Sequence, residues 1–271
     1  MSVIGEMLSY PFLVRALAGG VLVSLCAALL GVSLVLKRYS MIGDGLSHVS
    51  FGALSIAVAF GWSPLQVSIP VVVVAAFFLL RITENGKLNS DAAIAVISAS
   101  ALAVGITVTA LTTGMTTDVS SYMFGSILAM SREDVILAAG LSVVVLFLFI
   151  FFYHKVFAVT FDENFARATG VKVSWYHILF AVLTAVTMVL GMRMMGAMLI
   201  SSLISFPALT AMRLFKSFRG VMIAAGAVAV VCFLAGMVIS YQASTPAGAS
   251  VVLVNLAVFL VCAAVQRIRG R

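Results

Sequence analysis

The sequence predicts an all-α polytopic membrane protein, and three observations carry that expectation. Of 271 residues, 63% are hydrophobic and 9% charged, against about 45–50% apolar and about 25% charged in an ordinary soluble domain. Mean hydropathy is +1.22. The apolar residues fall in continuous Leu/Val/Ala/Met-rich runs long enough to span a bilayer as helices. These features exclude a soluble globular protein and a disordered one. A transmembrane β-barrel would instead alternate over ten-residue segments. The net charge is +7 with a sequence pI near 9.7. In this setting the basic residues read as loop charges of a membrane protein, and no nucleic-acid partner is expected.

In chain order the apolar runs cover about 12–36, 41–61, 64–81, 91–113, 133–153, 174–191, 194–213, 220–241 and 248–266. The first is long enough to stay in the membrane. No basic region precedes it and Glu6 is the first charge, so no cleavable signal peptide is expected. The segment 120–131 is too short to span and reads as an interfacial or re-entrant element on the outer side. The runs at 174–213 are separated only by Gly191–Gly196, which fits a tight hairpin or a less regular element. Eight or nine spans result, with nine preferred.

Nine spans with the N-terminus outside put 13 of the 16 lysines and arginines on the cytoplasmic side, among them Lys37, Arg38, Arg81, Arg167 and Arg267. Arg15, Arg132 and Arg193 are the three left outside. This asymmetry fixes the orientation and places the C-terminus in the cytoplasm; an eight-span chain would strand a basic cluster on the wrong side. The whole chain, 1–271, reads as a single transmembrane domain. Its longest hydrophilic stretch, about 154–173, is a cytoplasmic loop. Cys26, Cys232 and Cys262 lie inside apolar runs without a CxxC pair, which suits packing rather than a disulfide framework or a cysteine metal site.

Ionisable residues inside a membrane are costly and mark a site by default. Asp44 and His48, at the start of the second span, are four residues apart and share a helix face. A carboxylate with an imidazole suits Zn²⁺, Mn²⁺ or Fe²⁺. Asp91 opens the fourth span on the same side, so Asp44, His48 and Asp91 can converge. The competing readings are helix-start acids for Asp44 and Asp91, and for His48 a buried imidazole bonded to a carbonyl. His154 and His177, at the cytoplasmic ends of spans, read as solvated. Asp118, Glu133 and Asp134 read as an outer wet loop. Met192, Met194, Met195 and Met198 cluster, which fits packing at a turn better than soft-metal transport. Pro207 interrupts a span, as a packing kink or as a pore-lining break.

In the cytoplasmic loop Phe157, Phe161, Phe165 and Ala166 are apolar at near-helical spacing. Asp162, Glu163, Asn164 and Arg167 interleave them, and Gly170 follows as a stop. A short amphipathic helix of this kind needs a partner groove or a membrane surface for its aromatics. No GxxxxGK[ST], HExxH or GxSxG occurs, so the chain carries no P-loop of its own and no familiar hydrolase signature.

The run Lys37-Arg-Tyr-Ser-Met-Ile-Gly-Asp-Gly-Leu-Ser-His48 resembles the signature of the metal-type ABC permeases, the membrane subunits of zinc, manganese and iron importers. The runs beginning at Tyr122, Phe161 and Gly196 resemble three further segments of that family, in the same order. The resemblance implies a fold like the type II ABC importers and a pore made by two permease copies, as a homodimer. It implies two ATPase partner subunits that hydrolyse ATP and an extracytoplasmic metal-binding protein. The permease itself would be no enzyme and would hold no permanent cofactor. It would be a multi-pass protein of a bacterial or archaeal inner membrane, moving the ion by alternating access. By the same matching, Asp44 and His48 are metal contacts, with Asp91 the weaker match. Phe161, Asp162, Glu163, Phe165, Ala166, Arg167 and Gly170 form the coupling element on the ATPase. The sequence departs from the family at Gly45, where alanine is common, and at Ser205 and Phe206, which replace aliphatic residues. A proton-coupled secondary metal transporter, an intramembrane metalloenzyme, and an ABC permease for an iron chelate or cobalamin are the alternatives weighed.

Overall fold

Hydrocarbon offers a peptide group no hydrogen-bond partner, so each long apolar run must close its bonds internally and coil into a helix. A computed structural model describes residues 7, 9–84, 90–113 and 132–268 of the chain. All regular structure among these residues is helical. The helices are α1 (Pro11–Leu36), α2 (Ser40–Ala59), α3 (Pro64–Glu84) and α4 (Ser90–Thr113). They continue with α5 (Arg132–Phe151), α6 (Tyr153–Phe161), α7 (Glu163–Ala168) and α8 (Val173–Met195). The last three are α9 (Ala197–Leu214), α10 (Phe218–Ala243) and α11 (Ala247–Ile268). Eight of these are each long and apolar enough to cross a membrane, and α5 with its continuation α6, bent by 68°, makes up to a ninth. The segment 120–131, the run from Tyr122 and Asp118 lie outside the described residues.

The breaks between helices have local causes. Proline at the first position of α1 loses nothing, since its missing N–H would have no intrahelical acceptor. The end of α1 is a Schellman turn: Tyr39 N–H bonds Leu34 O at 2.7 Å and Arg38 N–H bonds Val35 O at 3.0 Å. Arg38 takes the left-handed position there, φ 62°, which favours glycine. Between α8 and α9 a single residue, Gly196 at φ 87° and ψ 162°, breaks the helix, so the candidate hairpin at 174–213 is two helices with one residue between them. Pro207 lies buried inside α9 and Pro70 inside α3, and both helices run through their prolines.

The fold is organised around α1 and α2. α1 packs on α5, α8, α9 and α10, whereas α2 lies against α3, α4, α8 and α9. The least buried spans, α4 and α11, are peripheral. Their outward side chains, such as Val96, Leu111, Leu253 and Val261, are apolar and exposed. In a bilayer such faces need no polar cover. Close helix approach rests on small residues. A side chain at Gly31 would overlap the backbone of Ile204 in α9, and a Cβ at Gly52 would sit 2.8 Å from the Ala101 carbonyl oxygen in α4.

Three of the four clustered methionines, Met192, Met194 and Met195, are buried, and Met198 is exposed. Met194 fills the space beside Gly19, and Met195 joins Phe233 beside Gly20, so packing describes these positions. All three cysteines are free thiols. Cys26 donates to the Ser142 carbonyl at 3.4 Å and thereby ties α1 to α5.

Gly31→Val is expected to lower the melting temperature of the detergent-solubilised protein by several degrees or to prevent its accumulation, since overpacking a close crossing costs about 1–3 kcal/mol. Gly140→Ala, where a Cβ meets nothing within 4 Å, is expected to leave melting unchanged in the same assay.

Candidate functional site

The Schellman turn at Lys37–Tyr39 sets the first turn of α2, and one turn further in stands Asp44. The acid is the fifth residue of α2, beyond its first turn, so helix-end stabilisation does not account for it. The four-residue spacing brings His48 beneath it, with Nε2 3.8 Å from Asp44 Oδ2. The Asp44 side chain is 49% exposed and that of His48 18%. An open carboxylate therefore overlies a mostly enclosed imidazole. His48 Nδ1 is buried and has no hydrogen-bond partner, so no carbonyl satisfies it. A buried polar atom without a partner is uncommon and calls for a reason.

Two residues that the sequence does not single out complete the setting. Ser201, on α9, donates to Asp44 Oδ1 at 3.2 Å. Ser47 donates to the Asp44 backbone carbonyl at 2.7 Å, and its hydroxyl lies 3.5 Å from that of Ser201. Ser201 links the acid to the helix that carries Pro207. Its role depends on how α9 packs on α2, and one more serine in a serine-rich run gives no sign of it.

Gly45 also finds its reason here. A Cβ at that position would lie 2.8 Å from Ile94 Cγ2, so glycine lets α2 and α4 approach beside the site. Phe206 meets Phe259 of α11 edge-on at 5.9 Å between ring centres. Arg213 lies over that same Phe259 ring, 4.7 Å from its centre, so the aromatic departure from the family pattern is absorbed by packing between α9 and α11.

Asp91 stands in the first turn of α4 and is exposed. Among the described residues no three of His, Cys, Asp and Glu come together in a cluster fit for a metal ion. Asp44 and His48 are thus brought together, and Asp91 is not brought to them within one chain. A pair of side chains supplies fewer donors than the four of a closed structural zinc site, which leaves positions for water or other oxygen donors. Such a sparse set can hold an ion and release it.

The second site element is the loop around α7. Asp162, extended at φ −147° and ψ 94°, ends α6 and caps α7, its carboxylate accepting from Phe165 N–H at 2.9 Å. The expected single amphipathic helix is therefore two short ones with a corner at Asp162. Glu163 and Arg167 pair across one turn at 2.6 Å. Ala166 is fully buried against Val159 and Val173. Gly170, at φ 81°, ends the element. Phe157 and Phe161 lean on Phe218 of α10, with ring centres 5.1 and 5.7 Å away. Phe165 points away and is exposed.

His154 is exposed, as expected. His177 is not solvated: its side chain is 13% exposed, because α7 and the end of α1 close over it.

The ABC 3 transport family model matches residues 9–266. The manganese transport system membrane protein MntC of Halalkalibacterium halodurans is 29% identical to this chain, over 94% of it and 87% of that protein. The high-affinity zinc uptake system membrane protein ZnuB of Haemophilus influenzae is 26% identical, over 93% of this chain and 96% of its own. Among solved structures, PsaBC from Streptococcus pneumoniae in complex with Fab is similar at a TM-score of 0.86 and 28% identity, covering 96% of this chain and 94% of that one.

Ser201→Ala removes the hydroxyl that orients Asp44. It is expected to leave melting within a few degrees of wild type and to weaken Mn²⁺ or Zn²⁺ binding about tenfold or more in titration calorimetry, since a hydrogen bond to a charged group is worth about 1.5–3 kcal/mol.

Proposed function

The chain belongs to the ABC 3 transport family, and from that premise we propose that it is the membrane-spanning permease subunit of an ATP-driven importer for a divalent transition metal ion. The observation that carries this reading is the Asp44–His48 pair on one face of α2, half-open and backed by Ser201. Relatives named for manganese and zinc transport agree with the donor set. Two donors and a hydroxyl suit a bare ion in transit better than an iron chelate or cobalamin, and a pore needs binding weak enough to let the ion leave.

In this reading Asp44 and His48 are the metal contacts of the translocation path. Asp91, exposed at the start of α4, serves as an entry or exit charge or meets the path from a second copy. Two copies form the pore as a homodimer, with the apolar outer faces of peripheral helices against lipid and against each other. The chain folds as one transmembrane domain over 1–271. Its N-terminus lies outside and its basic loops face the cytoplasm of an inner membrane. An extracytoplasmic metal-binding protein delivers the ion.

ATP is hydrolysed by separate ATPase subunits, because this chain has no P-loop. They receive α7 and its flanks: exposed Phe165 and Phe161 offer the apolar contact, while Asp162 and the Glu163–Arg167 pair hold the helix in shape. Gly170 ends the element. Binding and hydrolysis of ATP move α7, and the pore helices alternate between outward and inward access.

Uptake by proteoliposomes containing the permease, its ATPase subunits and the binding protein tests the function. Mn²⁺, Zn²⁺ and Fe²⁺ are compared with and without ATP. Entry of a bare ion only with ATP is expected. Asp44→Ala and His48→Ala are expected to reduce uptake at least about tenfold, equivalent to about 1.4 kcal/mol, while the complex still assembles. Normal uptake by both variants would remove the site assignment, and uptake independent of ATP would favour a secondary transporter.

Within the same complex, Phe165→Ala is expected to reduce retention of the ATPase subunits on size-exclusion chromatography several-fold. A buried aromatic anchor commonly carries about 2 kcal/mol or more of an interface.

A further inference from the structure

We propose that His177 is the positioning residue that ties the coupling helix to the metal-bearing helix, so that movement of α7 reaches Asp44 and His48 through Lys37. The inference rests on the import function argued above.

His177 stands in the second turn of α8, enclosed where three parts of the chain meet. Its Nε2 lies 3.3 Å from Lys37 Nζ and 3.7 Å from Glu163 Oε2. Glu163 is the first residue of α7, and its other carboxylate oxygen is held by Arg167 at 2.6 Å. Lys37 is the C-cap of α1. The imidazole therefore separates a cation on the metal-helix side from a carboxylate on the coupling side. Lysine offers only donors, so in its contact with Lys37 the Nε2 atom is the acceptor. The carboxylate, beyond hydrogen-bond range, acts on the pair electrostatically.

The mechanical setting makes this junction a point of transmission. The apolar contact of α7 with the body is a small cluster of Ala166, Val159 and Val173, separate from the main core. The polar contact through Glu163 leads instead to Lys37, at a corner that is already strained. Arg38, next in sequence, holds the left-handed conformation that residues with a side chain rarely adopt. α2 starts two residues later, and Asp44 follows one turn in. Ser33, one turn before Lys37, has a buried hydroxyl without a partner and lines the same narrow cleft as Lys37, Thr160, Tyr176 and His177. Leu80, Val156, Val159 and Phe180 wall the rest of that cleft, which is largely apolar, so the Lys37–His177–Glu163 contacts carry charge across an otherwise apolar junction between the coupling loop and α1. A displacement of α7 that moves Glu163 changes the field on His177 and Lys37, and with it the corner that sets the angle of α2.

Adjacency identifies the route, and coupling energy tests it. The reconstituted complex is used with the binding protein, with Mn²⁺ and Zn²⁺ as probes, and the readout is ions moved per ATP hydrolysed. His177→Ala and Lys37→Met are expected to keep the ATPase subunits bound and to hydrolyse ATP at no less than half the wild-type rate, while ions per ATP fall at least about tenfold. The double variant is expected to fall no further than either single one, the non-additivity of residues acting as a unit. His177→Gln keeps a hydrogen-bonding group of similar reach and is expected to restore at least half the ratio. His154→Ala, an exposed histidine nearby, is expected to match wild type.

An unchanged ratio in His177→Ala overturns the linkage. So do losses that multiply in the double variant, equal loss of hydrolysis and uptake, or a glutamine variant as uncoupled as alanine. If His177→Ala does not assemble, Lys37→Met and His177→Gln give the same readings. Absence of metal uptake by the wild type overturns the import function instead, which separates the two failures.

Discussion

A peptide group in hydrocarbon has no water to bond, and everything in this chain follows from that constraint. It forces the apolar runs into helices and leaves no driving force for their association except close packing and interhelical hydrogen bonds. The crossing of α1 on α9 at Gly31 and of α2 on α4 at Gly52 shows the consequence: backbones approach where a side chain would collide. Methionines fill the irregular spaces that remain, as Met194 does beside Gly19. Among the described residues the buried polar side chains are serines, threonines and one asparagine, so the ionisable pair Asp44 and His48 stands out.

The same scarcity shapes the chemistry. A pore that must bind an ion and let it go is served by few donors with open positions, and α2 presents an acid and an imidazole on one face with no third His, Cys, Asp or Glu beside them among the described residues. Ser201 adds no charge, but it holds the Asp44 carboxylate from the neighbouring helix and so ties the candidate site to α9, the helix that carries Pro207. Beyond the Lys37 corner that starts α2, the loop around α7 is shaped by caps and local pairs. Asp162 turns the chain, Glu163 and Arg167 brace one helical turn, and Phe165 is left outward. Between these two regions His177 joins opposite charges from α7 and from the end of α1.

Much of the candidate site was legible because its signals are local. The four-residue spacing of Asp44 and His48 places them on one helix face whatever the tertiary fold. The alternation from Phe157 to Gly170 identifies an amphipathic element outside the membrane. What misled was also local: His177 lies at a span end, where solvation is the default, and Asp91 lies on the same side as Asp44, where convergence is natural. Burial of His177 depends on α7 folding back over α8, and the separation of Asp91 depends on α4 sitting at the periphery, neither of which any short window encodes.

Composition and run length determined by themselves that this is a helical membrane protein of eight or nine spans, because the cost of unsatisfied backbone leaves no other solution. The basic-residue asymmetry favoured one orientation, and the helical period fixed which residues share a face. Tertiary structure decided the rest. It broke the coupling element in two at Asp162, reduced the break after Met195 to Gly196, brought Ser201 to Asp44 and enclosed His177 between Lys37 and Glu163. Those contacts join residues 140 or more positions apart or depend on how whole helices pack, as the Lys37–His177 and Asp44–Ser201 pairs do. Sequence period carries no information over such distances, and only the meeting of packed surfaces fixes them.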